Sequence, residues 1–271
     1  MILDALHPFT EAVQAHGVKS ILPTSLDSAG IRALDAQIRR TSMVSARTML
    51  EDVLLKYKAD IGSILNPITQ QRADRITAEN PAGNVTTGLD QASARLDIKQ
   101  LLQSLNYSPE PGEEGTLTDL SSDSRINLVL RTNVETAQGA GRFLQMNDED
   151  VLDEFPAQEL VRFEQTHKQR DWPERWSAAA DESGDDDAAR VLDETGRMIA
   201  LKASPIWDSL GDGAGGYDDT LGNPYPPFAF NSGMWVQSVS RKEAESVGLM
   251  DSGDKVEPHP LSLENLFSLI E

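Results

Sequence analysis

The chain has 271 residues and a mass of 29.6 kDa, which is enough for one large domain or two small ones and excludes fibrous and miniature scaffolds. Its 24 Lys and Arg residues against 44 Asp and Glu residues give a net charge of -20, so generic nucleic-acid binding would act against repulsion from the phosphates. The lack of cysteine excludes disulfides, thiol nucleophiles and thiolate metal sites. The N-terminal sequence has neither a basic start nor an unbroken apolar stretch, so we expect a soluble protein made without a secretion signal.

The first part of the chain has the pattern of consecutive helices. A short helix is predicted from Phe9 to His16, ended by Gly17. A longer helix of about 22 residues is predicted from Met43 to Ile64, because apolar residues recur there at steps of three and four. This apolar face has two interpretations, a core-facing surface or a contact with another chain. On the second interpretation, the candidate partner-binding residues of this helix are Leu50, Val53 and Tyr57.

Two further segments define the domain organisation. Asp90 is a predicted N-cap for an amphipathic helix from Gln91 to Leu105. The stretch Ser108–Thr116, SPEPGEEGT, is rich in Pro, Gly and Glu and is predicted to be a linker. We therefore predict a helical N-terminal region over residues 1–107, a linker over 108–116 and a second domain over 117–257.

The second domain is predicted to be a small, turn-rich α+β unit, which makes the whole chain α+β. A helix capped by Ser121 or Ser122 is predicted to run to about Met146, and a strand is predicted at Glu159–Phe163. The acidic run Asp181–Asp187 lacks the ligand spacing of a calcium loop and is interpreted as a solvated loop or local disorder.

Candidate catalytic residues are few, and no local motif joins them. The histidines, among them His167, occur outside any metalloprotease or nucleophile motif. A hydrolase with an acidic site in the C-terminal domain would use the densest set of carboxylates. These are Asp208, Asp212, Asp218 and Asp219. We predict no catalytic, cofactor-binding or metal-binding residues and keep the hydrolase as an alternative.

Aromatic residues are concentrated between Trp172 and Trp235, whereas the N-terminal region has almost none. Such a cluster is typical of a compact core, and amphipathic rings can also anchor a partner. Both interpretations are open from the sequence.

Two separated stretches, LRTNVETAQGAGRFLQM at Leu130–Met146 and YPPFAFNSGMWVQSVSRKEAESVGLM at Tyr225–Met250, resemble the Mu F-like family of phage head morphogenesis, or minor head, proteins. In that family a helix of the R-T-N-x-x-T-A-x-x-x-G type is followed by a Pro-Pro turn, a loop and a strand. The matching residues are Arg131, Thr132, Asn133, Thr136, Ala137 and Gly141 in the helix, and Pro226, Pro227, Phe228, Asn231, Ser232 and Gly233 in the loop. The stretch from Ala15 to Met49 is also similar to the opening of prophage minor head proteins.

The resemblance implies an F-like domain and a structural protein of the virion, without a reaction or a cofactor. It implies assembly of the head in the host bacterial cytoplasm, a position at or near the portal vertex, and contacts with the portal protein, the major capsid protein or both. Asn133 and Asn231 are expected to tie loop backbone together by hydrogen bonds, and Gly233 to adopt a positive φ. Many relatives carry a Cys-x-Cys near the loop, whereas this chain has none, so no metal role is carried over. A ring-forming head–tail adaptor is a further alternative.

The C-terminal segment, residues 258–271, is predicted to contain a short amphipathic helix capped by Ser262. This helix would either dock into a partner's groove or pack on its own domain. The candidate partner-binding residues of this segment are Leu263, Leu266, Phe267 and Ile270.

Overall fold

A computed structural model describes residues 10–66, 89–165 and 170–261. The chain is α+β, as the sequence predicts. It divides into two compact units. The first unit consists of Met1–Ile31 and Thr41–Gly141, and the second of Arg32–Arg40 and Arg142–Glu271. In these described ranges, no helix combines the length and the apolar character that crossing a membrane requires.

The first unit is mainly helical. The elements of this part of the chain are α1 (Thr10–Gly17), β1 (Ser20–Ile21), α2 (Ser28–Arg32), α3 (Ala36–Thr41), β2 (Ser42–Met43), α4 (Glu51–Leu65), α5 (Gln91–Ser104) and α6 (Asp123–Met146). Most residues of the short helix α3 belong to the second unit. The strands β1 and β2 form a short parallel pair, with Ser20 opposite Ser42. The last turn of α6 belongs to the second unit.

The core of the first unit lies between α4, α5 and α6. It contains Val53, Tyr57 and Ile61 from α4, Ala94, Ile98 and Leu102 from α5, and Ile126 and Leu130 from α6. The helix predicted after Asp90 is confirmed, and the Asp90 carboxylate accepts hydrogen bonds from the backbone N–H groups of Ala92 and Ser93. The N-cap at Ser122 is also confirmed, since its hydroxyl accepts from Arg125 N.

The helix predicted from Met43 begins later than the apolar spacing indicates. Met43 lies in β2, and α4 starts only at Glu51. Between them Arg47 has a φ of 55°, and its N–H donates to the carbonyl of Leu26. Because a left-handed residue interrupts a right-handed helix, the helical stripe is cut at this position.

The division of the chain into two units does not fall at the predicted linker. Residues 108–116 form ordered turns within the first unit, where Gly115 N donates to the Asp119 carboxylate and Ser122 Oγ donates to Thr116 O. Tyr107 Oη accepts from Leu120 N and fixes the two ends of this segment. The division falls instead after Gly141, because α6 contributes Ile126, Val129, Leu130 and Ala137 to the core of the first unit.

The second unit is built on a small antiparallel sheet with the strand order β4-β3-β5. Its elements after α6 are α7 (Glu149–Glu154), β3 (Ala157–Arg162), α8 (Trp172–Ser183), α9 (Asp186–Thr195), β4 (Ile199–Leu201), α10 (Ile206–Asp212), β5 (Met234–Val239) and α11 (Arg241–Ser246). Gln158 in the central strand lies opposite Ala200 of β4 and Ser238 of β5. The strand predicted at Glu159–Phe163 is thus present as β3, shifted by two residues at its start.

The acidic run Asp181–Asp187 is a helix–turn–helix junction, so its interpretation as a loop or disorder was wrong. Gly184 ends α8 in the left-handed conformation with a φ of 69°. Asp185 then caps α9, accepting from Ala188 N at 2.9 Å. Asp185, Asp186 and Asp187 therefore lie at the start of α9, where Asp at an N-cap and in a first turn is stabilising.

Candidate functional site: the Pro-Pro loop and its supports

The loop Tyr225–Gly233, called the Pro-Pro loop below, closes on itself through side-chain hydrogen bonds. The peptide bond between Pro226 and Pro227 is cis. The hydroxyl of Ser232 donates to Pro227 O at 2.6 Å and accepts from Met234 N at 3.1 Å. Gly233 has the expected positive φ, 65°. In this conformation the backbone carbonyls of Phe230 and Asn231 accept hydrogen bonds from Arg170, which lies outside the loop.

Phe228 anchors the loop in an aromatic core. Its side chain is fully buried and stacks on Trp207 at a centroid distance of 5.9 Å. Trp207 meets Trp176 edge-on at 5.2 Å, and their indole N–H groups donate to Leu201 O and Ala188 O respectively. These rings therefore fill the core of the second unit, which is the first of the two interpretations that the sequence left open.

A group of three charged side chains, Arg170, Arg175 and Asp219, holds the loop from its polar side. Arg170 donates through Nε to Asp219 Oδ2 at 2.6 Å, and its Nη atoms donate to the carbonyls of Phe230 and Asn231. Arg175 donates through Nη1 to Asp219 Oδ1 at 2.7 Å. Its guanidinium also lies 4.0 Å from the ring centroid of Tyr217. Bidentate, charge-assisted bonds of this kind give both strength and fixed geometry.

The carboxylate of Asp219 is ionised in this environment. Partial burial alone would raise its pKa, but the hydrogen bonds from Arg175 and Arg170 outweigh this effect and hold the pKa below its usual value. A carboxylate that stays ionised at neutral pH and accepts from two guanidinium groups is a poor general acid or base. Its arrangement suits a structural support.

The helical part of the family-like motif lies within α6. Arg131 pairs with Glu135 at 2.6 Å along the helix. Asn133 Nδ2 donates to Val129 O at 2.9 Å, four residues earlier in the same helix, so the prediction that Asn133 ties loop backbone together was wrong. Asn133 lies inside the helix because apolar residues recur at helical spacing on both sides of it, at Val129, Leu130 and Ala137. In the loop, the side chain of Asn231 is exposed, and it is the backbone carbonyl of Asn231 that is bonded.

Gly141, also part of the motif, allows two backbones of the first unit to approach closely. A Cβ atom at this position would lie 2.6 Å from Ala12 N in α1. Any side chain there would force the two helices apart.

The four candidate acids of the hydrolase alternative do not form one cluster of free carboxylates. Asp208 lies 2.9 Å from His259 Nε2, and Asp212 lies 3.9 Å from Arg39. Asp218 pairs with Arg32 at 3.4 Å, while Asp219 is held by Arg170 and Arg175. Within the described ranges, no group of three His, Asp or Glu side chains is arranged to hold a metal ion. His167 lies outside the described residues.

The candidate partner-binding residues of α4 point inward. Val53 and Tyr57 are buried in the core of the first unit, and Leu50 is partly buried against it. Of the two interpretations of this apolar face, the structure therefore supports a core-facing surface for Val53 and Tyr57. The candidates Leu263, Leu266, Phe267 and Ile270 lie outside the described residues.

Sequence reasoning missed the supports of the loop. Arg170 and Arg175 flank Trp172 in the sequence, but their carboxylate partner is more than 40 residues away. The only local signal was a pair of basic residues beside a buried tryptophan, which does not identify a partner.

No family model, curated protein or solved structure matches this chain.

Proposed function

We propose that the protein is a phage minor head protein, a structural component at or near the portal vertex that supports head morphogenesis or genome delivery. The observation that carries this proposal is the construction of the Pro-Pro loop, the most specific part of the family-like sequence. The geometry of the loop does not depend on a ligand, because Arg170 donates to the carbonyls of Phe230 and Asn231 from within the unit and is itself held by Asp219.

The distribution of charges favours an assembly role over hydrolysis. A hydrolase with an acidic site needs carboxylates that share a cleft and differ in pKa. Here Asp208, Asp212, Asp218 and Asp219 each pair with a different basic partner or partners. These four carboxylates are therefore better suited to holding segments of the second unit together.

The proposed partners are the portal protein, the major capsid protein, or both, with self-association in a ring as a variant of the same role. In the first unit, α4 and α5 present exposed apolar side chains to a partner. Leu55 is 46% exposed and Leu96 is 56% exposed. Leu55 directly precedes Lys56 in α4, and Leu96 directly precedes Asp97 in α5. Lys56 and Asp97 form an ion pair that joins the two helices. These leucines replace Val53 and Tyr57 as the contact residues to be tested.

The experiment is co-expression of the full chain with the portal and major capsid proteins encoded beside it, followed by co-purification and native mass measurement. We expect a complex of defined stoichiometry with the portal protein. A closed ring of this chain alone would indicate the head–tail adaptor instead. A monomer that binds neither head protein would overturn the proposal.

Matched variants test which surface makes the contact. Leu96→Asp should weaken the complex at least tenfold, whereas Gln103→Asp adds the same charge at an exposed polar position of α5 and should leave it intact. In the C-terminal segment, Leu266→Asp is compared with Ser268→Asp in the same way. Equal binding by all four variants would exclude both surfaces.

A further inference from the structure

Two basic side chains of the second unit, the buried Lys202 and the half-buried Arg142, have no carboxylate partner among the described residues. Lys202 follows β4 and is only 5% exposed. Its Nζ atom donates to Met146 O, at the end of α6, over a long distance of 3.4 Å. Arg142 lies one turn before Met146 on the same helix, and its Nε atom is buried with no hydrogen-bond partner. The last turn of α6 thus brings two cationic groups to one place.

The two groups act on each other unfavourably. Burial and, as a smaller contribution, the positive charge of Arg142 together lower the pKa of Lys202 to about 8. Burial also lowers the pKa of Arg142. In the described part of the chain, no Asp or Glu side chain offsets either shift. A buried charge without a partner is costly, so this arrangement requires compensation.

Other arginines of the same unit are paired with acidic side chains. Arg170 and Arg175 share Asp219, and Arg197 is held by Glu159 and Glu243. Acidic residues are abundant in a chain with a net charge of -20. Arg142 and Lys202 therefore differ from these arginines, because within the described ranges they have no acidic partner, in a chain that is rich in acidic residues.

We propose that Arg142 and Lys202 form a binding site for a small tetrahedral oxyanion of the phosphate or sulfate class. The guanidinium supplies an N–H donor at Nε that nothing else occupies, and the ammonium supplies donors beyond the one directed to Met146 O. Adjacent oxygens of one anion can accept from both groups in charge-assisted hydrogen bonds. Because Lys202 is almost fully buried, the ligand is a free ion and not the backbone phosphate of a nucleic acid.

The test is titration calorimetry of the full chain with sodium sulfate at pH 7, at constant ionic strength maintained with sodium chloride. We expect saturable binding of one sulfate, which inorganic phosphate displaces. Lys202→Met and Arg142→Gln should each weaken binding at least tenfold, while Lys255→Gln, at an exposed position, should not change it. Binding that is equal in all variants, or that does not saturate, would be a general salt effect and would overturn the proposal.

A second measurement uses only the unmodified chain and so does not depend on the folding of a variant. Sulfate keeps its charge between pH 7 and pH 9, whereas Lys202, with a pKa of about 8, loses its proton over this range. The charged fraction of Lys202 falls about tenfold, so sulfate affinity should fall by about the same factor. An affinity that stays constant between pH 7 and pH 9 would overturn the role of Lys202.

Discussion

Arg170 Nε and Asp219 Oδ2 lie 2.6 Å apart in an ion pair that joins residues 49 positions apart in the sequence. The same guanidinium holds the carbonyls of Phe230 and Asn231, so the Asp219 carboxylate orients the group that supports the Pro-Pro loop. Arg175, on α8, binds the other oxygen of Asp219. One carboxylate therefore links the loop to the helix that carries the aromatic core.

Replacing Asp219 tests this link. Asp219→Asn leaves two largely buried guanidinium groups without a counter-ion, and we expect the free energy of unfolding to fall by about 2–3 kcal/mol. Urea unfolding followed by tryptophan fluorescence measures the change, because Trp172 and Trp176 lie on the same helix as Arg175. Asp218→Asn is the control, since that side chain is 85% exposed and should change stability by no more than about 0.5 kcal/mol.

The contribution of Asp219 should also depend on pH. Its pKa is lower in the folded chain than its ordinary value of 3.8, so its stabilising effect is complete above that value and is lost as the pH falls through the lower folded pKa. The difference in stability between the unmodified chain and Asp219→Asn should therefore be constant near neutral pH and shrink below about pH 4. A difference that stayed the same at acidic pH would show that the ion pairs are not its source.

Gly141 and Gly62 are expected to respond in opposite directions to the same substitution. Both lie inside helices, where alanine is intrinsically favoured by about 1 kcal/mol. A Cβ atom at position 141 would lie 2.6 Å from Ala12 N, whereas at position 62 the nearest contact is His16 Cδ2 at an ordinary 3.9 Å. We expect Gly141→Ala to lower the free energy of unfolding by about 1–3 kcal/mol and Gly62→Ala to raise it by about 0.5–1 kcal/mol.

Thermal unfolding of the two glycine variants provides the measurement. A stabilising effect of Gly141→Ala would mean that α1 and α6 do not approach as closely as the Gly141–Ala12 geometry requires. It would also remove the steric explanation for the glycine in the family-like motif.

Arg125 joins three separate segments of the first unit. Its Nη2 atom donates to Ser45 Oγ and to Ala46 O, and its Nη1 atom donates to Leu117 O. Lysine cannot reproduce this fork, so Arg125→Lys should lower the free energy of unfolding by about 2–3 kcal/mol. Ser45→Ala removes only one of the contacts and should cost about 1 kcal/mol. Equal effects of the two substitutions would contradict the role of the guanidinium as a three-way link.

Local patterns predicted the elements whose causes are local. The helix α5 follows from the apolar spacing of Ala94, Ile98 and Leu102 together with the cap at Asp90, all within one short stretch. The strand β3 was also predicted from its own short stretch, Glu159–Phe163, and begins two residues earlier, at Ala157. Each of these signals is complete in the segment itself, so no knowledge of distant residues was needed.

The features that sequence reasoning did not find depend on contacts between distant residues. The start of α4 is set by the left-handed Arg47, whose N–H is bonded to Leu26 O, and helical spacing cannot show this. The supports of the Pro-Pro loop depend on the pairing of Arg170 and Arg175 with Asp219 across more than 40 residues. The boundary between the units was misplaced from the linker-like composition of residues 108–116, because composition does not reveal that Gly115 and Thr116 are bonded into the first unit.

His16 provides a pH-dependent prediction for the first unit. Its Nε2 atom lies 2.9 Å from Lys58 O, so Nε2 carries the proton in the neutral ring, while Nδ1 is buried without a partner. Burial lowers the pKa of His16 from 6.5 to about 4; the hydrogen bond to Lys58 O opposes this shift, and the charges of Lys19 and Lys58 add to it. Since the unfolded chain binds the proton more readily, stability is complete above pH 6.5 and is lost as the pH falls toward 4.

The variant His16→Gln isolates this effect, because the glutamine amide can still donate to Lys58 O but cannot be protonated in this range. Between pH 6.5 and pH 4, the free energy of unfolding of the unmodified chain should fall more than that of the variant. The extra loss should be up to about 1.4 kcal/mol for each unit by which the pKa of His16 is lowered on folding. Urea unfolding at half-unit pH steps measures both curves, and the other histidines are common to both chains. Parallel curves would show that His16 is protonated equally in the folded and unfolded states, which would contradict its burial as a neutral ring beside two lysines.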